Sequence, residues 1–212
     1  VEDGPLAAYV ATLGAGLDRH VLANPFPFTF RIYDDTKPGS KPPAGPMMFP
    51  YEVKDRRDLE PVAIAGGPIF VPLGLLRKAG SEPELAAALA HAMAHIALRH
   101  SVRMAALALG IVSAPSGLLE QARKYELDAD ALAVRILADS GSDPGALVAW
   151  LSKPPDERTF QQVMLSSLPL RPNRIEAIRN VLAGLPRREY AANPFGKPGE
   201  FAAISAKLKA SR

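Results

Sequence analysis

Residues 85–100 read LAAALAHAMAHIALRH, and this run decides the fold. It is dense in Ala and Leu, the strongest helix formers, and it carries no Gly or Pro. His91 and His95 stand four positions apart within it. At about 3.6 residues per turn, that spacing returns the second imidazole to nearly the same face as the first. Two neutral imidazoles so placed can share one metal ion.

The familiar form of this pair is H-E-x-x-H, where the Glu beside the first His serves as general base. Here the second position is Ala92. The chain thus keeps the metal-binding half of the pattern and lacks the base. Ser81 with Glu84 three residues on gives a capping-box start, and Glu82 and Glu84 suit the positive end of the helix. The helix is expected to persist to about Leu109. On that straight helix His100 lies roughly 140° around from His95, at about 100° per residue, so His100, like His20, is read as structural.

A catalytic zinc takes three protein ligands and leaves a fourth position open. The third ligand must come from another element. Residues 118–138, LLEQARKYELDADALAVRILA, form a second long helix that places Glu126 and Asp130 on one face and Asp128 roughly opposite. One carboxylate of the pair can bind the metal, and the other can hydrogen-bond the free nitrogen of a ligand histidine. An antiparallel packing of the two helices, joined by a turn at 114–117, brings the two pairs face to face. Either pair alone is more often core or a solvated face, but Leu89, Met93 and Ile96 make unpartnered imidazoles costly at this place.

Outward from these helices, apolar residues at Leu6, Tyr9, Val10, Leu13, Leu17 and Val21 predict an amphipathic first helix with Asp3 as cap. FTFRIY at 28–33 predicts a strand, and the Pro-rich stretch 34–46 a loop. PVAIAGGPIFVPL at 61–73 predicts two short strands turning at Gly66, Gly67 and Pro68. Further helices are expected through Trp150, at 158–166, at 173–183, and over a basic final stretch at 201–209. The fold class is therefore α+β, mostly helical, in one domain over 1–212 with a small β-sheet and a basic tail at 186–212.

Composition narrows the function further. Cysteine is absent, which removes disulfides, thiolate metal sites and cysteine nucleophiles. The net charge is +3 with both signs interspersed, so nucleic acid is not an expected partner. No apolar run reaches the roughly 20 residues of a transmembrane helix. The chain opens at Val1 without a signal peptide, and the expectation is that an N-terminal targeting segment has been removed.

Three motifs in order resemble one enzyme family. The stretch GGPIFVPLGLLRKAGSEPELAAALAHAMAHIALRH, the run Glu126-Leu127-Asp128-Ala129-Asp130 against E-x-E-A-D, and Pro169 followed by Arg174-Ile175 against H-P…R-I are similar to the gluzincin zinc metallopeptidases that include the CAAX prenyl protease and the HtpX-type quality-control proteases, above all their soluble bacterial members. The resemblance covers about residues 5–185. It implies a zincin-like domain with its sheet packed on the active-site helix, Zn2+ held by His91, His95 and Glu126, and Asp130 as partner of a ligand histidine. It also implies Arg174 in the active-site wall, and a strand at Ala63, Ile64 and Ala65 that pairs with an extended peptide or unfolded protein substrate. Location in the bacterial cell envelope or periplasm follows from the same resemblance.

Two departures stand out. With Ala92 at the position of the general base, the chain is expected to bind zinc and not to cleave, and an isolated loss of the base fits a designed replacement; the alternative is a natural pseudoprotease that binds peptides. Leu168 stands where many members carry a His.

Overall fold

The structure is a computed structural model, which describes residues 4–22, 26–35, 60–110, 115–153 and 166–210. Helix α1 (Pro5–Asp18) opens the chain, with Pro at its first position and Gly4 as N-cap. It buries Tyr9, Val10, Leu13 and Leu17, as the apolar spacing predicts. The proposed cap Asp3 falls outside the described residues, as does most of the Pro-rich loop.

Three strands form one small sheet in the order β1-β3-β2. β1 (Thr29–Tyr33) runs parallel to β3 (Pro68–Pro72), and β2 (Val62–Ala63) pairs antiparallel with β3. The turn between β2 and β3 falls on the two glycines, at φ 95° for Gly66 and 114° for Gly67. A side chain at Gly67 would also place its Cβ 2.2 Å from the carbonyl oxygen of Pro27. Only glycine fits there. Pro68 begins a strand, where it accepts from Ile64 N at 2.8 Å without needing an N–H of its own.

Helix α2 (Leu73–Lys78) continues directly from β3. Helix α3 (Glu82–Ala97) is capped by Ser81, whose hydroxyl accepts from Glu84 N at 3.3 Å. Burial on almost every side explains its Ala-rich composition: thirteen residues between Glu82 and Ile96 are buried, and small side chains let neighbouring elements approach. Its principal neighbour is α5 (Pro115–Ser140), with α1, α6 (Ala146–Ser152) and β2 closing the rest.

The expected continuous helix to Leu109 is corrected by the structure. α3 ends at Ala97, Arg99 takes a left-handed conformation at φ 56°, and α4 (His100–Gly110) starts afresh. Helix periodicity from His95 therefore does not reach His100.

The chain ends with α7 (Arg171–Ala183) and α8 (Glu200–Ala210). The helix expected at 158–166 lies outside the described residues for all but its last position. The basic tail is not loose. Phe195, Phe201, Ile204 and Leu208 pack against the same core as α1 and α3, and Glu82 accepts from the backbone N–H groups of Phe195 at 3.1 Å and Gly196 at 3.3 Å. No helix among the described residues is long and apolar enough to cross a membrane.

Candidate metal centre

α3 and α5 bring His91, His95 and Glu126 together, with one possible ligand atom of each within 4.8 Å of the others. The Nε2 atoms of His91 and His95 are 3.1 Å apart. Glu126 places one oxygen 3.5 Å from each of them, Oε2 toward His91 and Oε1 toward His95. A tetrahedral zinc with bonds of about 2.0–2.1 Å holds its ligand atoms about 3.4 Å from one another. The three donors already sit at that spacing.

The donor chemistry points the same way. Oε2 of Glu126 is buried and has no hydrogen-bond partner among the described residues. A buried carboxylate oxygen left so is costly in the absence of a cation. Arg174 supplies only part of that charge, its Nη1 standing 3.6 Å away.

Behind the three donors lies a row of supports. His91 turns Nδ1 to within 2.9 Å of Asp130 Oδ1. Asp130 is gripped by Arg174, whose Nε and Nη2 each donate to one of its oxygens at 2.7 Å. Nη1 of the same guanidinium donates to Glu60 at 3.3 Å. Asp128, on the far side of α5, is exposed. The carboxylate pair and Arg174 thus stand together.

The charges are arranged by burial and by these neighbours. Burial pushes the His91 imidazole down, but the carboxylates of Asp130 and Glu126 beside it outweigh it and lift the pKa to about 9. Burial holds His95 down at about 4. Burial alone would push Glu126 up; His95, His91 and Arg174 overcome it and hold the carboxyl well below the usual range. Asp130 is likewise held low, chiefly by Arg174 against its burial. Of the three donors, Glu126 is thus held ionised and His95 neutral, the states in which each can ligate a divalent cation.

Ala92 lies between the histidines at 1% exposure, with a methyl group and no acid–base function. Of the expected strand, Val62 and Ala63 form β2, while Ile64 and Ala65 enter the turn. Leu168 has its N–H on Ser166 Oγ at 3.1 Å.

Two residues of the site carry no sequence signal that singles them out. Glu60 belongs to none of the motifs that the sequence offers. His100, set aside on helical geometry, has its Nδ1 3.1 Å from Nδ1 of His95, because the break at Arg99 returns it to the site. Its ring stacks on Tyr125 of α5 with centroids 4.3 Å apart and planes 10° from parallel.

The chain is similar to the beta-barrel assembly-enhancing protease of Yersinia pestis, at 25% identity over 165 residues, 62% of this chain and 34% of that protein. It is also similar to the protein of the same name in Escherichia coli strain K12, at 22% identity over 213 residues, 85% of this chain and 39% of that protein. It therefore spans well under half the length of these relatives. The model of peptidase family M48 matches residues 50–116 and 107–182, more than half of the sequence, and the chain belongs to that family of metallopeptidases.

Proposed function

We propose that the chain is the zinc endopeptidase domain of a protease acting on unfolded or extended protein segments in the bacterial cell envelope, present here in a form that binds zinc without cleaving. The observation that carries the metal assignment is the convergence of His91 Nε2, His95 Nε2 and Glu126 at 3.1–3.5 Å. Bound there, zinc would polarise a peptide carbonyl and lower the pKa of a water molecule. Asp130 holds His91 with its proton on Nδ1, so that Nε2 keeps its lone pair for the metal. Arg174 fixes Asp130 in turn.

The edge of β2 that pairs with no other strand among the described residues receives the substrate. Ile64 N–H is spent on Pro68 O, and in an antiparallel ladder residues alternate between facing the partner strand and facing away. Ala63, opposite Ile69, is therefore the residue that offers both its N–H and its C=O outward. An extended peptide can pair with it at the sheet edge beside α3. Unassembled β-barrel chains, the material suggested by the names of the relatives, present such segments.

Ala92 leaves no side chain to take a proton from water or to pass one to the leaving amine. A positioned acid–base group contributes about 10²- to 10⁴-fold in rate. The Ala92→Glu variant, assayed on casein with zinc present, should gain cleavage on that scale, and a chelator should abolish it. Stoichiometric zinc with no gain in cleavage would leave a peptide-binding pseudoprotease, and no zinc by elemental analysis would end the metal reading.

A further inference from the structure

His100 belongs to neither the three donors nor the row of supports behind His91, yet it is 4% exposed and lies against His95. We propose that His100 is the positioning residue of His95: its Nδ1 accepts the Nδ1–H of His95 and so fixes the tautomer that leaves His95 Nε2 free for the metal. This rests on the zinc reading above.

A neutral imidazole carries a single N–H. His95 Nε2 stands 3.1 Å from His91 Nε2 and 3.5 Å from Glu126 Oε1, so as a ligand it must be bare and the proton must sit on Nδ1. That proton points at His100 Nδ1, 3.1 Å away. Only one hydrogen fits between the two nitrogens, so His100 carries its own on Nε2. In the opposite arrangement His100 donates, and His95 is forced to aim an N–H at the metal position. The two arrangements are alternatives, and only the first is compatible with zinc.

His100 is held for this task. Its ring stacks on Tyr125 and meets His95 edge-on, with planes at 82° and centroids 5.0 Å apart. Arg99 supplies the backbone turn that brings it there. Each zinc-binding imidazole then has its own partner, a carboxylate for His91 and a neutral ring for His95. The neutral partner orients without adding charge, and Nε2 of His100 is left buried with no partner among the described residues.

Zinc affinity, measured by competition with a chelator of known strength, tests this. Removing a partner of this kind typically costs 10- to 100-fold in metal affinity. His100→Leu should lose affinity on that scale, whereas His100→Asn, whose side-chain oxygen can stand near the Nδ1 position, should stay within a few-fold of the parent. Nitrogen NMR of the zinc-loaded parent should show His95 protonated on Nδ1 and His100 on Nε2, a result that does not depend on how the variants fold. A Leu variant that binds zinc as tightly as the parent, or a proton on His100 Nδ1, would overturn the inference. A parent that binds no zinc would overturn the metal reading and this inference together.

Discussion

Arg174 donates from Nε and Nη2 to the two oxygens of Asp130, both at 2.7 Å, with each side chain 1% exposed. A fork of this kind, out of water, is costly to break from one side because the remaining charge stays buried. Arg174→Met should destabilise the domain by about 3–5 kcal/mol, read from urea midpoints. The same variant should weaken zinc binding, because Asp130 would no longer be held against His91. An unchanged urea midpoint would show that Asp130 is accommodated without its partner.

A second buried carboxylate joins the two ends of the chain. Glu82 is 1% exposed and accepts from Tyr9 Oη at 2.6 Å as well as from the backbone of Phe195 and Gly196. Burial, with Glu82 beside it, pushes the Tyr9 phenol far up, so it stays a donor. Glu82→Leu leaves these donors without an acceptor, at about 1–3 kcal/mol each. Hydrogen exchange should quicken across 195–210 in that variant. Glu82→Gln, which keeps one acceptor oxygen, should lose less. Equal exchange in the two variants would argue that the carboxylate does not hold this segment.

The legible parts of this molecule are those fixed by local periodicity. His91 with His95, and Glu126 with Asp130, could be placed on shared faces because each pair lies within one unbroken helix. The hairpin was legible because Gly66, Gly67 and Pro68 leave the backbone few alternatives. The parallel pairing of β1 with β3 was not, since it joins residues far apart in sequence. Glu82 suits a helix end by its spacing and is in the structure a buried anchor, because sequence spacing cannot show what another segment brings against a side chain. The largest departure from local periodicity is itself local in origin: one left-handed residue, Arg99, ends a helix that composition alone would continue, and brings His100 to the metal site.

That residue gives a third prediction. A non-glycine residue in the left-handed region costs roughly 1–2 kcal/mol, part of which glycine returns as entropy of the unfolded chain. Arg99→Gly should therefore be neutral to about 1 kcal/mol stabilising, a rise of up to about 2–4 °C in Tm for a domain of this size. Arg99→Val, branched at Cβ and disfavoured at positive φ, should lower Tm and weaken zinc binding together by displacing His100. A glycine variant less stable than the parent would show that Arg99 makes contacts worth more than its strain.

Removal of the metal should expose a stability maximum near the ordinary histidine pKa of 6.5. His91 is raised to about 9 in the folded chain, so its contribution is fully present below 6.5 and is lost as pH rises toward 9, where the folded state gives up a proton the unfolded state has already released. His95 and His100 are lowered by burial to about 4 and about 3. As pH falls below 6.5 the unfolded state takes up protons at both and the folded state does not, so stability drops on the acid side as well. Asp130 and Glu126, held low, add to that acid loss. Zinc removes the alkaline limb and steepens the acid one, because below 6.5 the unfolded state protonates its His91 while the loaded folded state does not. The metal replaces the proton on His91 Nε2, so binding below about pH 9 releases that proton, and the loss between 6.5 and 9 should vanish in the loaded protein. Urea unfolding of chelator-treated and zinc-loaded protein across this range reads both limbs. A metal-free domain equally stable at 6.5 and 9 would mean that His91 is not held protonated between Asp130 and Glu126.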